Sequence, residues 1–315
     1  MKIVITGATG SIGCAIVSRA LQRGHDVTCI VHKGSTRVRN LPQGERIKIV
    51  ECDLSDYSSL VLGGRYDIFI HLAWEGTFGP LRDDAGLQLR NIQGTLDAVQ
   101  LAHRLGCSVF VGAGSQAEYG LQNEPLSAGL PVRPESGYGI AKYAAGKLSA
   151  MLCASLRIRQ NWVRIVSVFG PHDGEGTLIS YLIRELSAGR SPELTRCEQI
   201  WDYLYADDAA EAFLAVAENG KDGKAYPLGS GTGRRLSEYV EDIRRTINPA
   251  VEIRYGAKEY YPHQPMHLVA DISELTRDTG WKPQFSFEEG IHLISPGNGT
   301  AAGGGRKGLK MHATP

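Results

Sequence analysis

The stretch TGATGSIGCAI, residues 6–16, carries three glycines at the boundary between two regular elements. The residues before it, KIVIT, form a short β-branched run typical of a buried strand. Those behind it have the apolar spacing of a helix that stops at Gly24. Such a turn brings backbone N–H groups and the positive end of a helix to one point, where an anion can bind. The stretch therefore predicts a dinucleotide-binding turn, with a tight turn that holds no ligand as the alternative.

Short β-branched runs alternate with amphipathic segments through the first half of the chain. The runs are KIVIT, DVTCIV, RIKIVEC, YDIFIHLA, CSVFVGAG and NWVRIVSVFG. Helices are predicted behind the first run to residue 23, near 57–62, over 83–105 and over 136–159. This alternation predicts the α/β class, with a doubly wound parallel sheet of the Rossmann type and helices on both faces.

The second half is less regular and suggests a division of the chain. Helices are predicted over 177–188, 207–218, 236–247 and 287–294, with short strands between them. We expect a Rossmann domain over 1–170 and a smaller α/β substrate lobe over 171–295. The segment 296–315 is rich in glycine and has no apolar face, so we expect a flexible tail.

Composition limits the classes of partner. The 315 residues include 34 basic and 34 acidic side chains, so the formal net charge is zero. This balance gives no reason to expect nucleic acid or a membrane surface as a partner. No apolar run approaches the ~20 residues that a membrane-spanning helix needs. The six scattered cysteines fit neither a disulfide framework nor a zinc site, so we expect no metal and a cytoplasmic protein with reduced thiols.

The loop after the second strand bears on the choice of dinucleotide. A Rossmann site that prefers NAD usually has an acid at this point, which accepts from the ribose 2′-hydroxyl. The loop HKGSTRVR instead supplies His32, Lys33 and Arg37. Basic groups suit a 2′-phosphate, so the loop favours NADP, with NAD possible and a solvated basic loop as the alternative.

Three further motifs point to a family. YGIAK supplies Tyr138 and Lys142, GAGSQAEYG supplies Ser115, and CDLSD supplies Asp53. With the glycine turn, the chain resembles the extended short-chain dehydrogenase/reductases over about residues 1–294. That group includes nucleotide-sugar epimerases, dehydratases and reductases. The second half, through GPHDGEG, EQIWDYLYADD and GSGTG, is most similar to 4-keto-sugar reductases of the CDP-abequose synthase type.

The resemblance implies roles for particular residues. It implies a catalytic triad of Ser115, Tyr138 and Lys142, with Tyr138 and Lys142 also at the cofactor. The other implied cofactor contacts are Gly7, Gly10, Ser11, Ile12, Gly13, Asp53, Leu54, Leu72 and Ala73. Substrate contacts are predicted at Trp74, Ser115, Gln116, Ser167 and Arg234. The resemblance further implies a nucleotide-diphosphate sugar as substrate and a homodimer.

The candidate triad has a direct chemical reading. Tyr138 and Lys142 are four residues apart on a predicted helix and share a face, so we expect the Lys142 ammonium to lower the pKa of the phenol. In a reduction, Tyr138 would protonate the developing alkoxide and Ser115 would stabilise it. A solvated helix face is the alternative for the Tyr138–Lys142 pair.

Departures from the family pattern narrow the reaction. Gln116 and Ala117 stand where the 4,6-dehydratases carry an acid pair, which argues against dehydration, and the family counterpart of Glu118 is usually not catalytic. Ser167 replaces an asparagine common in epimerases. We expect a reductase of a nucleotide-linked 4-keto-6-deoxyhexose. The alternatives are a nucleotide-sugar 4-epimerase with tightly bound NAD and, more distantly, a non-catalytic NADP-binding regulator.

A few polar positions carry weaker signals. His71 lies at a strand end and is more typical of a packed core residue. Asp207 and Asp208 precede a predicted helix and are expected to cap it. His263 and Gln264 are candidates for a contact with the nucleotide.

Overall fold

The computed structural model describes residues 1–261 and 264–296. The strands are β1 (Lys2–Thr6), β2 (Asp26–Val31), β3 (Ile47–Glu51), β4 (Ile68–His71), β5 (Val109–Ser115), β6 (Arg159–Ile165), β7 (Val168–Phe169), β8 (Ile200–Trp201), β9 (Leu204–Tyr205), β10 (Ala225–Leu228), β11 (Arg234–Arg235) and β12 (His267–Leu268). The α-helices are α1 (Ser11–Gln22), α2 (Ala85–Arg104), α3 (Gly137–Leu156), α4 (Leu178–Ser187), α5 (Ala206–Asn219), α6 (Leu236–Ile247), α7 (Ser273–Thr279) and α8 (Phe287–Ile294).

Seven strands form one parallel sheet in the order β3-β2-β1-β4-β5-β6-β10. The order reverses at β1, which is the hallmark of a doubly wound sheet and confirms the predicted fold class. Because all strands run the same way, their carboxyl ends share one edge. Thr6 at the end of β1 pairs with His71 at the end of β4. The segments that follow these strands therefore lie close together.

Two apolar cores cover the faces of the sheet. Side chains alternate along β5, so Val109 and Val111 join the core formed with α1 and α5, whereas Phe110 joins the core formed with α2 and α3. In the described part of the chain, no helix is long and apolar enough to cross a bilayer.

The second half of the chain is divided between the sheet and a smaller lobe. Helices α4, α6 and α8 pack around their own apolar core together with β7 and β9, and β8, β11 and β12 form a small mixed sheet. However, α5 packs on α1, and β10 is the edge strand beside β6. The chain therefore returns to the large sheet after residue 170, which a single boundary near that residue does not describe.

Two local predictions differ from the structure. The helix expected near 57–62 is absent, and a 3-10 turn at Leu54–Asp56 stands just before it. Arg104 donates to the carbonyls of Tyr57 and Leu60, so a side chain satisfies groups that a helix would have paired internally. Helix α7 was not predicted, because seven residues are too few to show a helical period.

Candidate active site

Each of the three positions in the opening turn is occupied by glycine for a different structural reason. Gly7 has a φ of +67°, and a Cβ on it would lie 2.7 Å from the Ala73 nitrogen. A Cβ on Gly13 would overlap the Gly7 carbonyl oxygen. Gly10 has an ordinary φ of −76°, and the nearest atom to an added Cβ is 3.6 Å away. The fold itself thus requires Gly7 and Gly13 but not Gly10, whose missing side chain leaves open space beside the turn.

That open space lies at the start of α1. Gly10 caps the helix without a side-chain hydrogen bond, and the first turn holds no acid. The Ser11 Oγ is buried with no hydrogen-bond partner among the described residues. Unpaired donors at a helix N-terminus suit an anion, and a buried polar atom without a partner is unusual unless a ligand meets it. The turn therefore fits the pyrophosphate of a dinucleotide.

The loop after β4 closes over the turn. The Leu72 and Ala73 backbone nitrogens donate to the Thr6 Oγ1 at 3.2 and 3.3 Å, which ties this loop to the end of β1. Leu54, the other apolar residue expected at the adenosine, packs against α2 at Gly94. These positions lie around one edge of the sheet, and their contact with a dinucleotide stays a prediction.

An acid does lie at the end of β2 in space, although none stands there in the sequence. The Asp53 Oδ1 accepts from the Lys33 backbone nitrogen at 3.0 Å and lies 3.5 Å from the His32 Nε2. The Lys33 Nζ pairs with Asp56 at 2.6 Å. The loop itself holds no acid, as the sequence shows, but β3 runs beside β2 and brings Asp53 to the same point.

The candidate catalytic residues converge at the carboxyl end of β5. Ser115 ends the strand, while Tyr138 and Lys142 lie on the first turns of α3, and all three are buried. Helix α3 begins there because the Ser136 hydroxyl caps it through the Gly139 nitrogen at 3.1 Å. The Lys142 Nζ donates to the Ala113 carbonyl at 2.8 Å, which anchors the helix to the strand.

Burial dominates the electrostatics of this cluster. Desolvation raises the pKa of the Tyr138 phenol, against the opposing effects of its hydrogen bond to Ser115 and the charge of Arg82. Desolvation also lowers the pKa of Lys142 to about 7, although the Glu118 carboxylate acts in the other direction. The expected acidification of Tyr138 by Lys142 is therefore not found, because a group that is itself costly to charge contributes little field.

Two side chains of the β4–α2 loop cover the cluster. The Trp74 ring lies 3.8 Å from the Lys142 Nζ and edge-on to Tyr138, and its Nε1 donates to the Gln88 Oε1 at 3.0 Å. The Arg82 guanidinium lies 4.5 Å from the centre of the Tyr138 ring. Sequence reasoning missed Arg82, because nothing in an irregular loop indicates which side chain folds back over the site.

A family comparison agrees with this geometry. A model described as the NAD dependent epimerase/dehydratase family matches residues 3–229. The chain belongs to this family. It is therefore an enzyme of an NAD-dependent oxidoreductase group, as the resemblance had predicted.

Relatives from this epimerase/dehydratase family cover nearly the whole chain. UDP-glucose 4-epimerase of Mycolicibacterium smegmatis is 27% identical over 92% of this chain and 96% of its own. CDP-abequose synthase of Salmonella typhimurium is 26% identical over 93% and 96%. The solved structure of UDP-N-acetylglucosamine 4-epimerase from Methanobrevibacter ruminantium M1 has the same fold, with a TM-score of 0.84, 24% identity and coverage of 92% and 96%.

The predicted substrate contacts of this family member are spread over both parts of the molecule. Trp74, Ser115 and Gln116 lie at the carboxyl edge of the large sheet. The Ser167 Oγ accepts from the Trp201 Nε1 at 2.9 Å, which joins the end of the large sheet to β8. Arg234 is held by Asp242, Glu288 and Glu238 at 2.6, 3.1 and 3.4 Å. These pairs weigh against a contact with a substrate diphosphate, which stays a prediction.

The weaker signals of the sequence have structural explanations. His71 is fully packed between Thr6 and Thr95, and burial lowers its pKa to about 3, as expected for a neutral core residue. The expected capping by Asp207 and Asp208 is wrong. Asp207 pairs with Arg19, and Asp208 accepts from the backbone nitrogens of residues 284 and 285. His263 lies outside the described residues.

Proposed function

We propose that this enzyme reduces a nucleotide-linked 4-keto-6-deoxyhexose with a nicotinamide cofactor, and that Tyr138 donates the proton. The observation that carries the proposal is the state of the Tyr138 phenol. It is buried beside Ser115, and its pKa is raised by desolvation, so it is protonated at neutral pH. A protonated phenol is the group that reduction of a ketone needs, because the product alkoxide must gain a proton.

The chain's own residues divide the remaining tasks. When bound, the cofactor supplies the hydride that a reduction consumes. The turn at residues 7–13, with Asp53, Leu54, Leu72 and Ala73 around it, holds the dinucleotide. Lys142 orients the nicotinamide ribose, and Ser115 donates to the reacting oxygen. The Ser115 Oγ already accepts from the Ala117 nitrogen at 3.2 Å, so its O–H remains available for donation.

Dehydration is disfavoured by the surroundings of Ser115. No carboxylate stands at Gln116 or Ala117. Glu118 is buried and accepts from Arg164, Trp162 and the Ser115 backbone. It therefore has no free oxygen to act as an acid on a substrate. This supports reduction over the chemistry of the 4,6-dehydratases.

We propose that the substrate side lies within 171–295, in the smaller lobe around α4, α6 and α8, since α5 and β10 of this range pack with the large sheet. Trp74 and Gln116 approach the sugar from the large sheet. Ser167 lies at the junction of the two parts through its bond to Trp201, where a nucleotide diphosphate sugar would cross from one to the other. The CDP-abequose synthase relative of Salmonella typhimurium supports a nucleotide-linked sugar as the substrate class.

NADP is the proposed form of the cofactor, on the evidence of the basic loop. Arg37 is exposed and has no ion-pair partner in the part of the chain that is described. It lies close enough to the start of α1 for its charge to oppose the effect of burial, which raises the pKa of the Cys14 thiol. Asp53 and the Lys33–Asp56 pair weigh towards NAD. The ratio of kcat/KM for NADPH and NADH measures the preference. Arg37→Gln lowers that ratio if Arg37 meets a 2′-phosphate, whereas the neighbouring Arg39→Gln serves as the control.

A homodimer in the cytoplasm completes the proposal. Helices α2 and α3 pack side by side, and Leu89, Ile140, Leu148 and Met151 on them are exposed. Exposed apolar side chains on two long neighbouring helices suit a second copy of the chain related by a two-fold axis. Light scattering measures the mass, and Met151→Glu with Leu89→Glu is expected to give a monomer.

The second candidate is a 4-epimerase that keeps NAD bound, favoured by the relative from Mycolicibacterium smegmatis. Oxidation of added NADPH and NADH against CDP-, UDP- and dTDP-linked 4-keto-6-deoxyglucose separates the two. The reductase oxidises the cofactor in proportion to substrate. An epimerase leaves it unchanged and interconverts UDP-glucose and UDP-galactose with none added. Binding of NADPH with turnover of neither substrate set contradicts both and supports a regulator.

A further inference from the structure

A fully buried carboxylate lies directly behind the candidate catalytic serine. Glu118 is 0% exposed. Its Oε1 accepts from the Ser115 backbone nitrogen and from the Trp162 Nε1, both at 2.8 Å, and its Oε2 accepts from the Arg164 Nε at 2.7 Å. Burying a charged pair is costly unless its hydrogen bonds are complete. Here three hydrogen bonds offset the desolvation cost of the Glu118 carboxylate, at a position one turn from the reacting groups.

The surrounding chain is shaped to admit this cluster. Trp162 and Arg164 lie on the same face of β6, opposite Gly112 and Gly114 of β5. A Cβ on Gly114 would lie 2.6 Å from the Glu118 Oε1, and one on Gly112 would overlap the Trp162 ring. A third glycine, Gly146 on α3, packs against the same ring, and a Cβ added to it would lie 2.8 Å from the Trp162 Cε2. The strand and the helix that carry the candidate triad thus leave room for Trp162.

The carboxylate and the serine hold each other. The Ser115 Oγ accepts from the Ala117 nitrogen at 3.2 Å, while the Glu118 carboxylate accepts from the Ser115 nitrogen, which completes a capping box around the turn at Gln116–Glu118. Ser115 is thereby fixed through its backbone and through one acceptor site of its hydroxyl. Its proton is left to point at Tyr138 or at a substrate oxygen.

Other charged groups face the same small region. Lys142 and Tyr138 approach from α3, Arg164 from β6 and Arg82 from the loop over the site. Arg164 is itself fixed, because its guanidinium lies 4.7 Å from the centre of the Tyr119 ring. The Glu118 charge acts on both catalytic groups and favours the protonated form of each.

We propose that Glu118 is a positioning residue: anchored by Arg164 and Trp162, it holds Ser115 so that the serine hydroxyl donates to the reacting oxygen. The proposal deepens the proposed reduction and rests on it. Glu118 touches neither substrate nor cofactor in this scheme, and its positioning role is exerted through Ser115. Its charge, which also acts on Tyr138 and Lys142, is absent from both members of the variant pair described next.

A matched pair of variants isolates the acceptor that Glu118 provides. Arg164→Met in both removes the guanidinium that would otherwise be left buried without a partner. Combined with it, Glu118→Gln keeps an oxygen for the Ser115 nitrogen, whereas Glu118→Leu removes that oxygen at similar volume. Far-UV circular dichroism and thermal unfolding establish that both fold. A third variant, Trp162→Phe, removes one donor to Oε1 and leaves the ion pair in place.

The readout is NADPH oxidation with the dTDP-, UDP- and CDP-linked 4-keto-6-deoxyglucoses. We expect the Leu variant to lose about 10- to 100-fold in kcat relative to the Gln variant, with KM nearly unchanged, since misplacing a reacting group by about 1 Å has effects of that size. In a Ser115→Ala background, the difference between Gln and Leu disappears, as does the smaller loss from Trp162→Phe.

Two results overturn the inference. One is equal kcat in the Gln and Leu variants. The other is a difference that persists in the Ser115→Ala background, which means that Glu118 acts only through packing. Failure of the proposed function looks different, because then Ser115→Ala alone leaves kcat unchanged, or the unaltered enzyme oxidises no cofactor with any of the three sugars. If the Leu variant does not fold, the same cycle with Trp162→Phe and Ser115→Ala decides the question.

Discussion

Lys142 and Arg234 are both cations against an aromatic ring, but the protein treats them in opposite ways. Lys142 is 4% exposed, bonds to one backbone carbonyl and lies under Trp74. No carboxylate forms an ion pair with it in the part of the chain described. Arg234 has a side chain that is 27% exposed, and it lies over Tyr239 with three carboxylates around it.

The different burial and ion pairing of Lys142 and Arg234 distinguish a cation suited to catalysis from one that stabilises the fold. A buried ammonium with unused donors costs folding free energy, and such costs concentrate where chemistry needs them. An arginine whose charge is already compensated stabilises its own lobe and has little left for a ligand. Under the proposed function, the chemistry lies at the edge of the large sheet, and the Arg234 cluster stabilises the smaller lobe.

The largest expected effect is on the group beside Lys142. Tyr138→Phe removes the proton donor and keeps the ring, so kcat for reduction should fall by about 10²- to 10⁴-fold. Stability should hold or rise, because the variant no longer buries a hydroxyl. Tyr143→Phe on the same helix is the control. Steady-state cofactor oxidation gives the answer, and an undiminished kcat in Tyr138→Phe would remove the edge of the sheet from the chemistry.

Lys142→Met tests the cost of the buried ammonium. The pKa of Lys142 falls from 10.5 to about 7 on folding, so the unfolded chain holds the proton more tightly between these values. The penalty is full below about pH 7 and fades as the pH rises towards 10.5. The variant should gain up to about 4 kcal/mol in unfolding free energy at pH 6 and little at pH 10.

Urea unfolding at the two pH values measures this gain. His71 contributes little to the difference, because burial, more than the Lys142 charge, lowers its pKa. A gain that is the same at pH 6 and pH 10 would mean that Lys142 is not held with a lowered pKa, and activity should be lost in the variant at either pH.

The glycine turn extends the comparison to uncharged residues. Gly10→Ala should weaken NADPH and NADH binding by at least about tenfold, or about 1.4 kcal/mol, with stability nearly unchanged. Gly13→Ala should lower stability, because its Cβ overlaps the Gly7 carbonyl. Fluorescence titration and thermal unfolding compare the two. Unchanged affinity for NADPH and NADH in Gly10→Ala would show that the open space at Gly10 holds no cofactor.

The smallest effect on activity is expected at Arg234. Arg234→Gln should change kcat/KM less than about threefold and lower stability by about 1 kcal/mol. Its pairs with Glu238 and Glu288 are exposed and weak, and the buried Asp242 keeps a second pair, with Arg245. The KM for the nucleotide sugar distinguishes a stabilising role of Arg234 from a contact with the substrate. A rise above tenfold without loss of stability would restore Arg234 as the substrate contact that the sequence suggested.

The sequence predicted the features that depend on residues close together along the chain. β-branched runs marked six strands of the sheet, and the spacing of Tyr138 and Lys142 placed them on one helix face. What it missed depends on contacts between distant segments. Asp53 reaches the end of β2 only because β3 pairs beside it. The seventh strand, β10, follows two further helices, and a short apolar run does not show which sheet it will join.

Contacts between distant segments also limited what could be predicted of the candidate site. Ser115 was found from its motif, but the partners of Glu118 come from β6, more than 40 residues later in the chain. Burial also reversed one expectation, since sequence shows that Lys142 is near Tyr138 but not that both are desolvated. The direction of their pKa shifts follows from that desolvation, which only the packed structure contains.

The most direct test of the central claim uses NADPH in which both hydrogens at C4 of the nicotinamide are replaced by deuterium. With a nucleotide-linked 4-keto-6-deoxyhexose, the account predicts one deuterium on the sugar carbon that carried the ketone, and loss of this transfer in Tyr138→Phe. Turnover that places no deuterium on the sugar, or transfer at the same rate in Tyr138→Phe, would contradict it.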